Sequence, residues 1–275
     1  MKLRLFIFTA IIFSLLSCQQ QSQESQEAQT EKENTPEPQL DMSNYPELLQ
    51  KALKAHGGLK TWRDYARLEY VKQDAGGSSE KHITNLNNRK ILIDRDTVKL
   101  GFDGNQVWVS PGLASFAGPT PRFYHNLHFY FFSIPFVLAD PGAIYEDLGE
   151  SNIDGETYRS LKVTYESGVG DTPDDIYIAH FDPDSFQLRL ALYTVTYFDE
   201  SSEKFNALHY EEWQKSDGLL VPKVYKGYVF NSQDSTLGKQ RYMARFENID
   251  FSMESPPESL FAMPEVAEID SLKSE

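Results

Sequence analysis

Residues 123–138 read FYHNLHFYFFSIPFVL, apolar on nearly every side, with no two-residue alternation. A helix that is hydrophobic all round has to be buried, in protein or in membrane. This stretch is short and is interrupted by Pro135, whereas a helix needs roughly 20 apolar residues to cross ~30 Å of hydrocarbon. Burial inside the protein is the remaining solution, and the rest of the chain must supply the wall. The 18 Phe, 15 Tyr and 3 Trp provide the apolar mass for it, which excludes an intrinsically disordered chain.

The wall reads as strands. Leu68 and Tyr70 alternate with charged residues, Ile83 lies in a polar strand, and Ile91, Ile93, Val98, Leu100 and Phe102 continue the pattern before Asp103-Gly104 turns into residues 106–110. Six further strands are expected over 158–165, 176–181, 188–198, 205–213, 220–230 and 240–251, separated by turn residues such as Asp182-Pro183 and Asp217-Gly218. Turns at such short intervals pair neighbouring strands antiparallel. The expected fold is α+β: one curved antiparallel sheet, a half-barrel of about 10–11 strands, wrapped around helices. A helix over 45–56, ended by Gly57-Gly58, and a short turn carrying Trp62 precede the sheet.

Upstream of residue 42 the chain changes character. Residues 1–17 carry Lys2 and Arg4 ahead of an apolar run from Leu5 to Leu16, the length and flanks of a secretory signal peptide. The run ends Leu15-Leu16-Ser17-Cys18, which resembles the lipobox of bacterial lipoproteins; the resemblance implies cleavage before Cys18 and a lipid on its thiol. Cys18 is the one cysteine in the chain, so no intramolecular disulfide can form. Residues 18–41 read as the lipidated cysteine and a Gln/Glu-rich tether too poor in apolar groups to order itself. Gln19, where an Asp would signal inner-membrane retention, implies the outer membrane of a Gram-negative envelope. The folded domain is placed at 42–263 and an acidic tail at 264–275. The net charge of −15 argues against nucleic acid as a partner.

The segment Ala55-His56-Gly57-Gly58 with Trp62 nearby, Gly101-Phe102-Asp103-Gly104-Asn105-Gln106-Val107-Trp108, and the block from His125 to Gly142 are similar to uncharacterised bacterial lipoproteins with a LolA/LolB-like, lipoprotein-sorting fold. The resemblance implies an incomplete barrel around helices with an apolar cavity that takes lipid or acyl chains. On that reading Trp62, Trp108, Phe129, Phe131, Phe132, Phe136 and Leu138, with Tyr130, Ile134 and Val137 of the same block, are cavity candidates; plain core filling is the alternative. The ligand would be a lipid or an acylated protein.

Other chemistry is thinly represented. His125 and His128, three apart, could share a helix face and a metal, but a metal site needs three or four ligands and no spacing supplies the rest. Asp171, Asp174 and Asp175 offer oxygen ligands for calcium, or a solvated turn. Glu211 and Glu212 are neighbours in a strand and point to opposite faces. No nucleophile elbow, phosphate loop or dinucleotide fingerprint is present. No cofactor and no catalytic residue is expected. The leading expectation is a non-catalytic, membrane-anchored envelope lipoprotein that holds an apolar ligand. The alternatives are an envelope assembly module that binds a protein partner, and a metal-dependent hydrolase built on His125 and His128.

Overall fold

The computed structural model describes residues 40–168, 170–199 and 201–271. The signal peptide, Cys18 and most of the tether lie outside them. Two helices come first, α1 (Glu47–Ala55) and α2 (Leu59–Asp64). Leu48, Leu49, Ala52 and Leu53 recur at helical spacing and are buried. Gly57 and Gly58 follow with φ of 106° and 97°. At Gly57 a Cβ would stand 2.4 Å from the Gly218 carbonyl oxygen, so conformation and space both demand glycine there.

Five strands then run as a meander: β1 (Arg67–Asp74), β2 (Ser79–Asn85), β3 (Ile91–Asp94), β4 (Lys99–Phe102) and β5 (Val107–Ser110). The apolar block supplies α3 (Pro121–Ser133), which opens with Pro121 in its first turn behind Thr120, whose hydroxyl accepts from the Phe123 amide. Eight strands complete the chain: β6 (Ala143–Ile153), β7 (Glu156–Tyr165), β8 (Tyr177–Phe181), β9 (Leu188–Tyr193), β10 (Asn206–Ser216), β11 (Leu219–Asn231), β12 (Thr236–Ser252) and β13 (Glu268–Asp270). All belong to one antiparallel sheet in the order β13-β5-β4-β3-β2-β1-β12-β11-β10-β9-β8-β7-β6. Pairing of β12 with β1 joins the two halves, Leu68 lying opposite Phe251. The sheet does not close: β6 and β13 are its edges.

The count of 13 strands corrects the expected 10–11. The two extra strands are those edges. β6, AIYEDLGESNI, is mostly exposed and has little apolar alternation to betray it. β13 comes from the stretch read as an acidic tail, and Ile269 pairs with Trp108 of β5.

The all-round apolarity of α3 is matched by burial on almost every side. Phe132 sits between Tyr70 and Phe246, at centroid distances of 4.7 and 5.0 Å. The chain then turns at Pro135, and Phe136 stacks on Trp62 at 4.7 Å. Two satellite cores lie on the face of the sheet turned away from α3. One joins Ile83, Leu92, Trp108 and Phe261; the other joins Ile153, Tyr158, Leu190, Leu192 and Ala207. Among the described residues no helix is long and apolar enough to cross a membrane.

Candidate ligand cavity

Phe123, Leu127, Tyr130 and Phe131 recur along one face of α3 at the spacing of successive turns, and this face does not pack tightly against the strands opposite it. It borders a cavity of about 340 Å³, within the ~300–1,000 Å³ typical of small-ligand pockets. The opposite walls are Phe102 of β4, Tyr165 at the end of β7, Tyr177 at the start of β8, Tyr197, and the loop containing Gly170 to Asp175. Tyr130 and Tyr165 share a hydrogen bond through their hydroxyls, and Tyr130 packs on Tyr177 at 4.8 Å. Burial pushes the phenols of Tyr130, Tyr165 and Tyr177 up, so they stay protonated.

The charged groups of the lining are paired. Arg122 holds Asp171 with two hydrogen bonds, Nε and Nη2 each donating at 2.7 Å. Its own amide donates to Asp270 at 2.8 Å, which ties α3 to β13. Arg89 donates to Asp140 at 2.7 Å, and its guanidinium lies 5.0 Å from the Phe129 ring centroid. Asp175 is buried and accepts from both the amide and the hydroxyl of Thr196, at 2.7 and 2.9 Å. His125 bonds the Arg122 carbonyl through Nδ1, and burial holds the imidazole down to about 4, neutral near pH 7.

Of the ten cavity candidates, Tyr130, Phe131 and Val137 line this space. Trp62, Phe132, Phe136 and Leu138 are buried in the main core, and Phe129 lies beneath Arg89. Trp108 stands on the other face, where Nε1 donates to the Phe261 carbonyl at 3.0 Å. Its ring covers Gly101 so closely that a Cβ there would lie 2.1 Å away. Leu127, Tyr165 and Tyr177 escaped the reading. The i, i+4, i+7, i+8 recurrence of 123, 127, 130 and 131 was the available signal; the two strand tyrosines look like any packing residue.

His125 and His128 do not act as a pair. His128 faces the opposite flank, with Nδ1 2.6 Å from the Tyr225 hydroxyl. Among the described residues no group of three or more His, Cys, Asp or Glu side chains is placed to hold a metal. Asp171 is engaged with Arg122 and Asp175 with Thr196, so neither is presented to calcium.

That opposite flank is built from charge. The Glu80 carboxylate, buried, accepts from Lys72 Nζ at 2.8 Å, Tyr124 Oη at 2.6 Å, His82 Nε2 at 2.9 Å and Arg95 Nε at 2.6 Å. Burial alone would raise its pKa, but the His82 hydrogen bond and the nearby cations hold it far below the usual carboxylate range. Beside this cluster lies a second, polar cleft of about 620 Å³.

The described residues thus define an unclosed antiparallel sheet curled around a buried helix, with one apolar cavity on its inner side. Residues 115–217, which include α3 and most of the cavity, match the profile of a "Family of unknown function (DUF6503)". No curated protein matches the chain. Among solved structures, the chain is similar to a LolA superfamily protein from Nitrosomonas europaea, at 12% identity and a TM-score of 0.48 over 78% of this chain and 96% of that one. A DUF1329 family protein from Desulfovibrio piger gives 13% and 0.44, over 74% and 91%. A domain described as an outer-membrane lipoprotein-sorting protein, from Vibrio parahaemolyticus, gives 9% and 0.40, also over 74% and 91%.

Proposed function

We propose that this chain is an envelope lipoprotein, anchored to the outer membrane by lipid on Cys18, that performs no catalysis and holds an apolar ligand beside α3. The ligand is a lipid or the acyl chain of another molecule. The observation that carries this reading is the cavity itself, bounded by Leu127, Tyr130, Phe131, Tyr165 and Tyr177 within a sheet that stays open at its edges. Each methylene moved from water into such a space contributes about 0.8 kcal/mol, without needing a dedicated polar partner.

The test uses the full chain carrying Cys18→Ser, so that no lipid of its own competes, titrated with the neutral fluorophore N-phenyl-naphthylamine. Saturable uptake, displaced by a natural lipid extract, is expected. Leu127→Trp, which fills the space from a half-buried position, abolishes it while the protein stays folded. Absence of saturable uptake overturns the ligand reading. Cys18→Ser also releases the protein into the soluble fraction of cells, and continued membrane retention would contradict the anchor.

A further inference from the structure

The cavity offers an anionic headgroup no spare cation. Its lining contains two guanidinium groups, Arg89 and Arg122, and each is already matched by a carboxylate, Asp140 and Asp171, at 2.7 Å. A third carboxylate, Asp175, has no cation opposite it and is satisfied by the amide and hydroxyl of Thr196. The remaining polar atoms are phenol hydroxyls, Thr172, Asn126 and the imidazole of His125. An anionic headgroup entering here would have to displace Asp171 or Asp140 from its arginine and leave that carboxylate unpaired, or sit among three carboxylates with no donor of full charge. A cationic headgroup would meet two arginines already bound to their carboxylates, with only Asp175, whose Oδ1 accepts twice from Thr196, left to attract it. The whole chain, at −15, adds a long-range field that repels anions.

Resting on the proposed ligand reading, we infer that the cavity selects lipids with an uncharged polar head, such as an acyl ester of glycerol, and rejects free fatty acids of the same chain. The discriminating device is the Arg122–Asp171 pair. It joins α3 to the loop beyond β7, and its two parallel hydrogen bonds use the donors that a carboxylate headgroup would need. Asp171 is partly exposed, so its substitution opens no cavity, although Arg122 keeps a buried charge without its counter-ion.

The experiment takes one fluorophore-tagged acyl chain in three forms: free carboxylate, glycerol ester and primary amine. Each is titrated against the full chain carrying Cys18→Ser and against the same chain with Asp171→Asn, both checked by thermal unfolding. In the first protein the ester binds about tenfold more tightly than the acid, the scale set by placing like charges together in a partly desolvated site. Asp171→Asn frees Arg122 and strengthens binding of the acid about tenfold, leaving the ester nearly unchanged. Equal or tighter binding of the acid by the unsubstituted lining overturns the inference, as does preference for the amine. An Asp171→Asn protein whose preference is unaltered removes the assigned role of the ion pair. Failure of all three forms to bind instead strikes the ligand reading itself.

Discussion

On one flank of α3, Tyr124 donates to a buried carboxylate that gathers four donors, and His128 bonds the Tyr225 hydroxyl; on the other, Leu127, Tyr130 and Phe131 face unfilled space. Both flanks belong to one helix and arise from interleaved residues. The Glu80 side leaves its carboxylate no vacancy: Lys72 and Arg95 neutralise it, and His82, itself neutral because burial lowers its pKa, donates to it from Nε2 and accepts the Tyr70 hydroxyl at Nδ1, 3.3 Å away. Such a network is costly to leave half-made, so it fixes where the helix sits. The apolar side has no such compulsion. A helix already held by polar contacts can leave apolar surface in a cavity, where an unanchored one would settle inward and fill it.

The largest expected effect is acid. His56, His125 and His180 are held near 4 by burial, and His82 and His128 are lowered for the same reason. As pH falls from 6.5 towards 4 the unfolded chain binds protons that these buried rings refuse, so stability is present in full above that window and is lost on descending through it, by several kcal/mol in sum. Glu80 works in the same direction: its contribution is present above its unfolded value of about 4.5 and drains away as pH falls further. Urea midpoints that stay level from neutral pH to pH 4 would mean the charged flank is wet, and the contrast with the cavity would fail.

Next in size is Glu80→Gln, which leaves the Lys72 and Arg95 cations without their counter-charge and costs about 3–5 kcal/mol by equilibrium unfolding. A loss below about 1 kcal/mol would place the cluster with exposed ion pairs. Trp108→Ala sharpens the contrast from a third place. It opens a hole on the far face worth about 3 kcal/mol, yet leaves probe uptake at its original affinity, because Trp108 packs with Ile83, Leu92 and Phe261 rather than at the cavity. Loss of uptake in a protein that remains folded would move the site. The smallest change in stability belongs to Leu127→Trp, about 1 kcal/mol or less in either direction, although uptake disappears.

Much of this architecture was legible. The helix ended by Gly57 and Gly58, the buried α3, and the meander from β7 to β12 follow from local periodicity and turn residues, which act over a few positions. β6 was not legible because an exposed edge strand leaves no apolar alternation, and its identity is settled by ten residues of β7 laid beside it. The cavity candidates show the same division. The reading took in the whole apolar block, and most of its members bury themselves completely, Phe132 against Tyr70 and Phe136 against Trp62. Much of the lining fell to Tyr130 and, from distant strands, Tyr165 and Tyr177; the Tyr130 and Tyr165 hydroxyls bond each other, and the Tyr177 ring packs on both.

By itself the sequence determined that a helix apolar on all sides would be enclosed by antiparallel strands, since no other arrangement takes that much aromatic surface out of water. Only the tertiary structure decided which side of that helix would be left with room, and that Arg122 would meet Asp171, 49 positions away. A void is a small difference between large volumes summed from distant segments, and no local pattern records it.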